Sequence, residues 1–239
     1  MNEIKVIAFD ADDTLFINET YFGEAEEKFC SLLSDYVSRQ SIAQELYSTQ
    51  IANLPTYGYG IKGYILSMIE AAMKISNYTL PAAFVKEIIE YGKELANKPI
   101  VLLDDVEETL QALHGKYKLV VATKGDLLDQ RRKLHKSGLG NYFHHIEVMS
   151  DKKETDYLDL INRLEVKPNE FFMIGNSLKS DVLPVLELGG YALHIPFLTT
   201  WEHEKIDHEI EHPNFYKAVN IQVILDILTY LAFFYVNLI

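Results

Sequence analysis

The chain of 239 residues is acidic, with a formal net charge of −13 at pH 7. This balance disfavours nucleic acid as a partner, because no basic cluster is dense enough to neutralise a run of phosphates. It does not disfavour a small phosphorylated ligand, since one bound cation outweighs a diffuse surface charge. The hydrophobic fraction of 48% is sufficient for a buried core. At this length we expect one large domain, or a core with a smaller module.

Cysteine usage and the apolar tail bear on the cellular compartment of the protein and on membrane association. Cys30 is the single cysteine, so an intrachain disulfide is impossible. This cysteine usage and an opening segment without a signal-peptide pattern predict a cytoplasmic protein. The apolar tail, residues 221–239, is interrupted by polar residues such as Gln222 and Asp226, and it lacks the run of about 20 apolar residues that a membrane span requires. We expect a helix docked on the core and no membrane, with a dimer or membrane-surface helix as the alternative. Monomer and homodimer both stay open.

The first predicted element is a buried parallel strand at residues 6–9, which ends at Asp10. Apolar residues then recur at intervals of three, four and seven, which is typical of amphipathic helices. These helical patterns cover residues 22–36, 41–53, 60–76 and 82–96. The stretch from 17 to 100 is therefore predicted to be an all-helical module.

The remainder of the chain alternates strands with helices. Strands are predicted at residues 117–122, 146–149, 171–174 and 191–195, with helices between them. Such alternation indicates a Rossmann-like parallel sheet with helices on both faces. The predicted organisation is an α/β core from residues 1–16 and 101–239, with a helical cap at 17–100 inserted after the first strand.

Polar side chains follow each of the first four predicted strands. Because parallel strands open their carboxyl ends on one edge of the sheet, these side chains are expected to meet there. They are Asp10 and Asp12, then Thr123, then Lys152 and Lys153, and finally Asn176, Ser177 and Asp181. Neighbouring carboxylates repel each other, so the first pair indicates a cation or a proton-transfer task. Carboxylate and amide oxygens suit a hard cation such as Mg²⁺, and no Cys/His cluster has zinc spacing.

These motifs resemble those of the haloacid dehalogenase superfamily, over essentially the whole chain. The family has an Asp-x-Asp-x-Thr motif after a strand, a Thr or Ser ending the next core strand, a Lys before a helix, and a Gly-Asp/Asn-Ser loop with a downstream acid. The matching residues are Asp10, Asp12 and Thr14; Thr123; Lys152 or Lys153; and Gly175, Asn176, Ser177 and Asp181. The pattern Lys-x-Glu-x-x-Tyr, running into the next helix, favours Lys152 over Lys153.

The resemblance implies a catalytic set of Asp10, Asp12, Thr123 and Lys152. Asp10 would be the nucleophile that forms an aspartyl-phosphate, and Asp12 the general acid and base. The implied cofactor is Mg²⁺, with a ligand set of Asp10, the backbone carbonyl of Asp12, Asn176 and Asp181. The expected substrate contacts are Thr14, Thr123, Lys124 and Lys152.

Two positions depart from the family pattern, and one loop has no assigned role. Position 13 is Asp where the family usually has Gly, and we interpret Asp13 as a loop residue that bonds local backbone. Position 176 is Asn where Asp is frequent, which leaves Asp181 as the acidic ligand of the fourth loop. Residues 57–63 are either an ordinary interhelical loop or a substrate-facing lip.

The predicted function is that of a Mg²⁺-dependent phosphatase acting on a small phosphomonoester. A 2-haloacid dehalogenase would use the same nucleophile on carbon, but needs neither a metal nor an acid two residues on. A phosphomutase on the same scaffold stays open. A catalytically silent binding protein is disfavoured by the intact set of motif residues.

Overall fold

The computed structural model describes residues 4–236. A parallel sheet forms its α/β part. Its strands are β1 Val6–Phe9, β2 Lys118–Lys124, β3 His145–Met149, β4 Phe171–Gly175, β5 Tyr191–His194 and β6 Phe215–Lys217. The helices are α1 Glu19–Leu32, α2 Arg39–Tyr57, α3 Ile61–Ile75, α4 Ala82–Ala96, α5 Val106–Leu113, α6 Leu127–Ser137, α7 Glu154–Arg163, α8 Leu183–Glu187 and α9 Val223–Val236.

The strand order in the sheet is β3-β2-β1-β4-β5-β6, and every pairing is parallel. β1 is central, with Phe9 opposite Val121 of β2 and Ile174 of β4. The loops that follow β1, β2 and β4 therefore open beside one another at the carboxyl edge. This α/β architecture confirms the predicted fold class. The structure adds β6, a strand of three residues that the sequence pattern does not indicate.

The residues of β1 alternate between two apolar layers, because successive side chains in a strand point to opposite faces. Ile7 and Phe9 join a cluster with α5 and α9. Val6 and Ala8 join a second cluster with α7. Both faces of the sheet are thus covered, which explains why β1 is apolar throughout and fully buried.

The tail helix α9 packs on the first of these layers through Ile224, Ile227 and Leu228. This arrangement agrees with the expectation of a docked helix, although the last three residues of the predicted segment lie outside the described ones. Across residues 4–236, no helix is both long and apolar enough to cross a membrane.

The Cα packing divides the chain into two compact units. The α/β unit comprises residues up to Ile17, Ile100–Lys124 and Lys133 onward; the helical unit comprises Asn18–Pro99 with Gly125–Arg132. The helical unit has its own apolar core, which includes Phe29, Leu46 and Met68. Each of the helices α1 to α4 contributes buried apolar side chains to this core, as the periodicity of the sequence predicts.

The segment 125–132 packs with the helical unit, whereas the sequence places it in the α/β core. Two contacts, one with the α2–α3 connection and one with the first turn of α3, account for the difference. Lys62 Nζ lies 2.8 Å from Asp126 Oδ2, and a Cβ at position 60 would lie 2.8 Å from the Asp126 backbone nitrogen. Gly60, at φ +109°, allows this close approach. Of the predicted loop 57–63, only residues 58–60 lie between α2 and α3, and Gly60 contacts residue 126.

Candidate active site

Lys152 joins the loop that follows β1, called the first loop, to the loop that follows β4, called the fourth loop. Its ammonium lies 2.6 Å from Asp10 Oδ1 and 2.6 Å from Asp181 Oδ1. All three side chains are buried. Lys153, by contrast, is the N-cap residue that precedes α7, and its exposed side chain pairs with Asp151. The structure therefore places Lys152, and not Lys153, against the two carboxylates.

Asp181 is held by a single π-helical turn, Leu178–Val182, directly after β4. Its Oδ2 accepts a hydrogen bond from the Ser177 backbone N–H at 3.0 Å. The carboxylate packs against Gly175, where an added Cβ would lie 2.2 Å from Asp181 Oδ2. Glycine is required at position 175 because the Asp181 carboxylate occupies the space of a side chain.

Asp12 has a cationic partner that its motif does not indicate. Lys133 Nζ of α6 lies 2.5 Å from Asp12 Oδ1. The Lys133 side chain is largely buried, and its ammonium lies over the ring of Phe16. The ion pair fixes the orientation of the Asp12 carboxylate at the carboxyl end of β1.

The residue after Asp12 adopts a backbone conformation that explains the family's usual glycine. Asp13 has φ +60°, in the left-handed region that glycine enters freely. Aspartate tolerates this region better than most residues, because its short side chain bonds local groups. Asp13 is buried, and its backbone N–H donates to the Phe16 carbonyl at 2.8 Å. The substitution of Asp for Gly is thus compatible with the loop.

The predicted substrate residues Thr14, Thr123 and Lys124 lie at the same edge of the sheet. Thr14 Oγ1 donates to Asp10 Oδ2 at 3.2 Å. β2 continues two residues beyond its predicted end, so Thr123 and Lys124 are its last residues and Thr123 is buried. Lys124 Nζ donates to Ser180 Oγ at 2.8 Å and to Glu204 Oε1 at 2.6 Å.

Asn176 follows β4, which pairs with β1. Its backbone carbonyl lies 2.9 Å from Nε2 of the buried His194 at the end of β5. Burial lowers the pKa of His194, so the neutral imidazole donates its Nε2–H to that carbonyl. His194 thereby orients the first residue of the fourth loop.

The electrostatics around Asp10 are dominated by burial. Burial raises the pKa of Asp10 to about 7; Lys152 opposes this rise, while Asp181 and Asp12 add to it. For Lys152 burial disfavours the ammonium, but Asp10 and Asp181 outweigh it and raise the pKa of Lys152 well above its ordinary value. Lys152 is therefore a permanent cation, and the site favours additional positive charge beside Asp10.

The residues present fit a magnesium ion. Within residues 4–236, no three Asp, Glu, His or Cys side chains come together as a metal site. Mg²⁺ does not need such a group, because one or two carboxylates with waters and substrate phosphate oxygens satisfy it. Asp10 and Asp181 are two carboxylates at one edge of the sheet, each with one oxygen on Lys152. This donor set consists of oxygens, which Mg²⁺ prefers, whereas zinc sites in proteins use mainly thiolate and imidazole ligands.

Three contributors to this site are absent from the predicted set of site residues. Lys133 and Glu204 bond motif residues from outside the motifs, and Tyr157 donates its hydroxyl to the Ser180 carbonyl at 3.1 Å. Only Tyr157 had a signal in the sequence, as the last residue of the Lys-x-Glu-x-x-Tyr pattern.

Comparisons with known proteins assign this chain to a family. The sequence model of the haloacid dehalogenase-like hydrolases matches residues 4–189. The chain belongs to this family and is a hydrolase.

Individual relatives agree with the assignment. A haloacid dehalogenase-like family hydrolase from Xanthomonas campestris is 33% identical, with a TM-score of 0.85 over 96% of this chain and 93% of that one. The N-acylneuraminate-9-phosphatase of Mus musculus is 23% identical over an alignment of 211 positions, and the match covers 79% of this chain and 81% of the relative.

An L-2-haloacid dehalogenase from Xanthobacter autotrophicus, solved with chloropropionic acid covalently bound, shares the fold. It has a TM-score of 0.64 at 13% identity over 95% of this chain and 98% of that one. Since a phosphatase is among the sequence relatives and a dehalogenase among the structural ones, the reaction must be inferred from the site.

Proposed function

We propose that this hydrolase is a Mg²⁺-dependent phosphatase that acts on a small phosphomonoester through an aspartyl-phosphate on Asp10. The observation that carries the proposal is the contact of Lys152 Nζ with both Asp10 and Asp181 at 2.6 Å. One ammonium between two buried carboxylates leaves a negative site, which attracts a divalent cation and, with it, a phosphate dianion.

Asp10 attacks phosphorus, and the bond from phosphorus to the leaving oxygen breaks. Asp12 donates its proton to that leaving oxygen, then accepts a proton from the water that attacks the aspartyl-phosphate. The second attack releases inorganic phosphate and restores the Asp10 carboxylate. Lys133 Nζ, at 2.5 Å from Asp12 Oδ1, holds the carboxylate at the carboxyl end of β1, and as a cation it favours the form that accepts the proton from water.

The remaining residues bind the phosphoryl group and balance charge. Thr14 and Thr123 carry hydroxyls for its oxygens, and Lys124 and Lys152 supply positive charge. When bound, Mg²⁺ supplies charge neutralisation between the nucleophile and the phosphoryl oxygens. Asp10, Asp181, the Asp12 carbonyl and Asn176 are the residues that would hold it.

The presence of Asp12 two residues after the nucleophile favours phosphate over haloacid chemistry. A halide leaves without a proton, so a dehalogenase has no need of an oriented acid two residues after the nucleophile. A phosphomutase would use every group described above and differs only in returning the phosphoryl group to a sugar phosphate. We therefore propose hydrolysis as the reaction. Transfer of the phosphoryl group to a sugar phosphate is the alternative outcome of the test.

The test is a phosphate-release screen of the purified protein with and without Mg²⁺. The panel contains sugar phosphates, N-acylneuraminate 9-phosphate (because of the relative's activity) and 2-chloropropionate as the dehalogenase probe. Mg²⁺-dependent phosphate release that is lost in Asp10→Asn supports the proposal. Chloride release without metal would overturn it, and net transfer to a second sugar phosphate would reassign the protein as a mutase.

A further inference from the structure

The carboxylate of Glu204, which lies outside the family motifs, bonds both the fourth loop and Lys124 at the end of β2. Glu204 Oε2 accepts hydrogen bonds from Ser177 Oγ and Ser180 Oγ, each at 2.5 Å. Its other oxygen, Oε1, lies 2.6 Å from Lys124 Nζ. Both charged side chains are largely buried, with exposed fractions of 13% and 14%.

The two serines belong to the backbone that presents Asp181. The Ser180 backbone N–H donates to Ser177 Oγ at 3.0 Å, and the Ser177 backbone N–H donates to Asp181 Oδ2 at 3.0 Å. A continuous series of hydrogen bonds thus leads from Glu204 through Ser177 to Asp181 and on to Lys152. Lys179 Nζ adds a bond to the His203 carbonyl, so two residues of the 202–204 turn, His203 and Glu204, bond this loop.

We propose that Glu204 is a positioning residue, which fixes the loop carrying Asn176 and Asp181 in its metal-binding shape through its bonds to Ser177 and Ser180. The inference rests on the proposed function for its link to Mg²⁺. Its link to the loop is independent of any activity. Glu204 does not touch the reacting groups; it acts through the serines.

The charge state of Glu204 is compatible with its role as a positioning residue. Burial opposes ionisation of Glu204, but Lys124 and the two serine hydroxyls outweigh it and lower its pKa to about 2. The carboxylate is therefore a permanent acceptor at neutral pH. Partners that orient metal ligands in this manner commonly contribute about 10–100-fold to metal affinity or activity.

The experiment compares Glu204→Ala, Glu204→Gln and a matched control, Glu202→Ala. Glu202 lies in the same turn but is exposed and pairs with Lys205. Glutamine retains a side-chain oxygen that can accept from both serines, but it loses the ion pair with Lys124. Two readouts need no turnover: Mg²⁺ affinity by calorimetry, and hydrogen exchange of the peptide spanning residues 176–182 in metal-free protein.

We expect Glu204→Ala to weaken Mg²⁺ binding by about 10-fold or more and to accelerate exchange in the 176–182 peptide. Glu204→Gln should lower the melting temperature yet keep near-wild-type Mg²⁺ affinity and exchange, and Glu202→Ala should change neither. If the role were merely structural, Mg²⁺ affinity would instead follow the melting temperature across the variants. Ser180→Ala, which removes one serine donor, decides the question if Glu204→Ala does not fold.

Wild-type exchange and Mg²⁺ affinity in Glu204→Ala would overturn the inference, as would equal losses in the alanine and glutamine variants. A wild-type protein without Mg²⁺-dependent phosphate release would overturn the proposed function instead. The exchange measurement would then still decide whether Glu204 fixes the loop.

Discussion

Lys152 Nζ lies 2.6 Å from Asp10 Oδ1, although 142 positions separate the two residues in the chain. The same ammonium reaches Asp181, so one buried cation neutralises part of two buried carboxylates. Two carboxylates this close to each other, Asp10 and Asp181, repel in the metal-free protein. The structure places Lys152 between them, and its positive charge offsets part of this repulsion.

Lys152→Met should abolish most turnover and destabilise the protein. The variant loses the cation that faces Asp10, and loss of one such electrostatic contact costs about 10²–10³-fold in kcat. Breaking a buried pair costs about 3–5 kcal/mol, because unpaired carboxylates remain. Phosphate release and urea unfolding measure the two effects. Lys153→Met is the matched control, since the Lys153 side chain is exposed; comparable losses in both variants would refute the assignment of Lys152.

Asp12→Asn should lose more activity on substrates with poor leaving groups than on nitrophenyl phosphate. General acid catalysis contributes about 10²–10⁴-fold, and a good leaving group needs little of it. The measurement is kcat/KM for an alkyl phosphate and for nitrophenyl phosphate. The neighbouring Asp13→Asn serves as control, because asparagine also tolerates the φ of +60° at that position. An equal loss for both substrates would exclude Asp12 as the acid.

Asp181→Asn should weaken Mg²⁺ binding and also destabilise the metal-free protein. Lys152 then keeps only Asp10 as a charged partner, so we expect a loss of about 3 kcal/mol in the free energy of unfolding. Calorimetry with Mg²⁺ and urea unfolding in the presence of a chelator measure the two effects separately. Unchanged Mg²⁺ affinity would place the ion elsewhere, and a more stable apo variant would show that the bridge contributes nothing.

Glu204 should make stability depend on pH in the acid range. Its folded pKa of about 2 lies below the ordinary 4.5, so its contribution is complete above pH 4.5 and is lost as the pH falls toward 2. The shift corresponds to about 3 kcal/mol at most. Urea unfolding of wild type and Glu204→Gln should therefore differ most near pH 6 and converge near pH 2.5. A difference that is independent of pH would contradict this linkage.

Much of the fold was predictable because periodicity is a local property. The apolar run of β1, the helical stripes of residues 17–100 and the alternation that follows all reflect the face that each element buries. The three-residue β6 is too short to show a period. The packing of residues 125–132 with the helical unit depends on Lys62 and Gly60, which are distant in sequence.

The residues of the candidate site were also partly predictable from the sequence. Asp10, Asp12 and Asp181 follow strands, and parallel topology brings strand ends together, so their neighbourhood was predictable. Lys133 and Glu204 come from a helix face and from a turn after β5, where no period or motif marks them. Partner choice between such side chains depends on three-dimensional packing, which a single sequence does not reveal.

The most direct measurement of the central claim is to trap the phosphoryl group on the protein. Wild type is mixed with nitrophenyl phosphate and Mg²⁺, quenched within one turnover, reduced with borohydride and mapped by peptide mass spectrometry. Borohydride converts an aspartyl-phosphate to homoserine, so we predict homoserine at position 10 and none when Mg²⁺ is omitted. Turnover without homoserine at position 10, or with homoserine at another aspartate, would contradict Asp10 as the nucleophile.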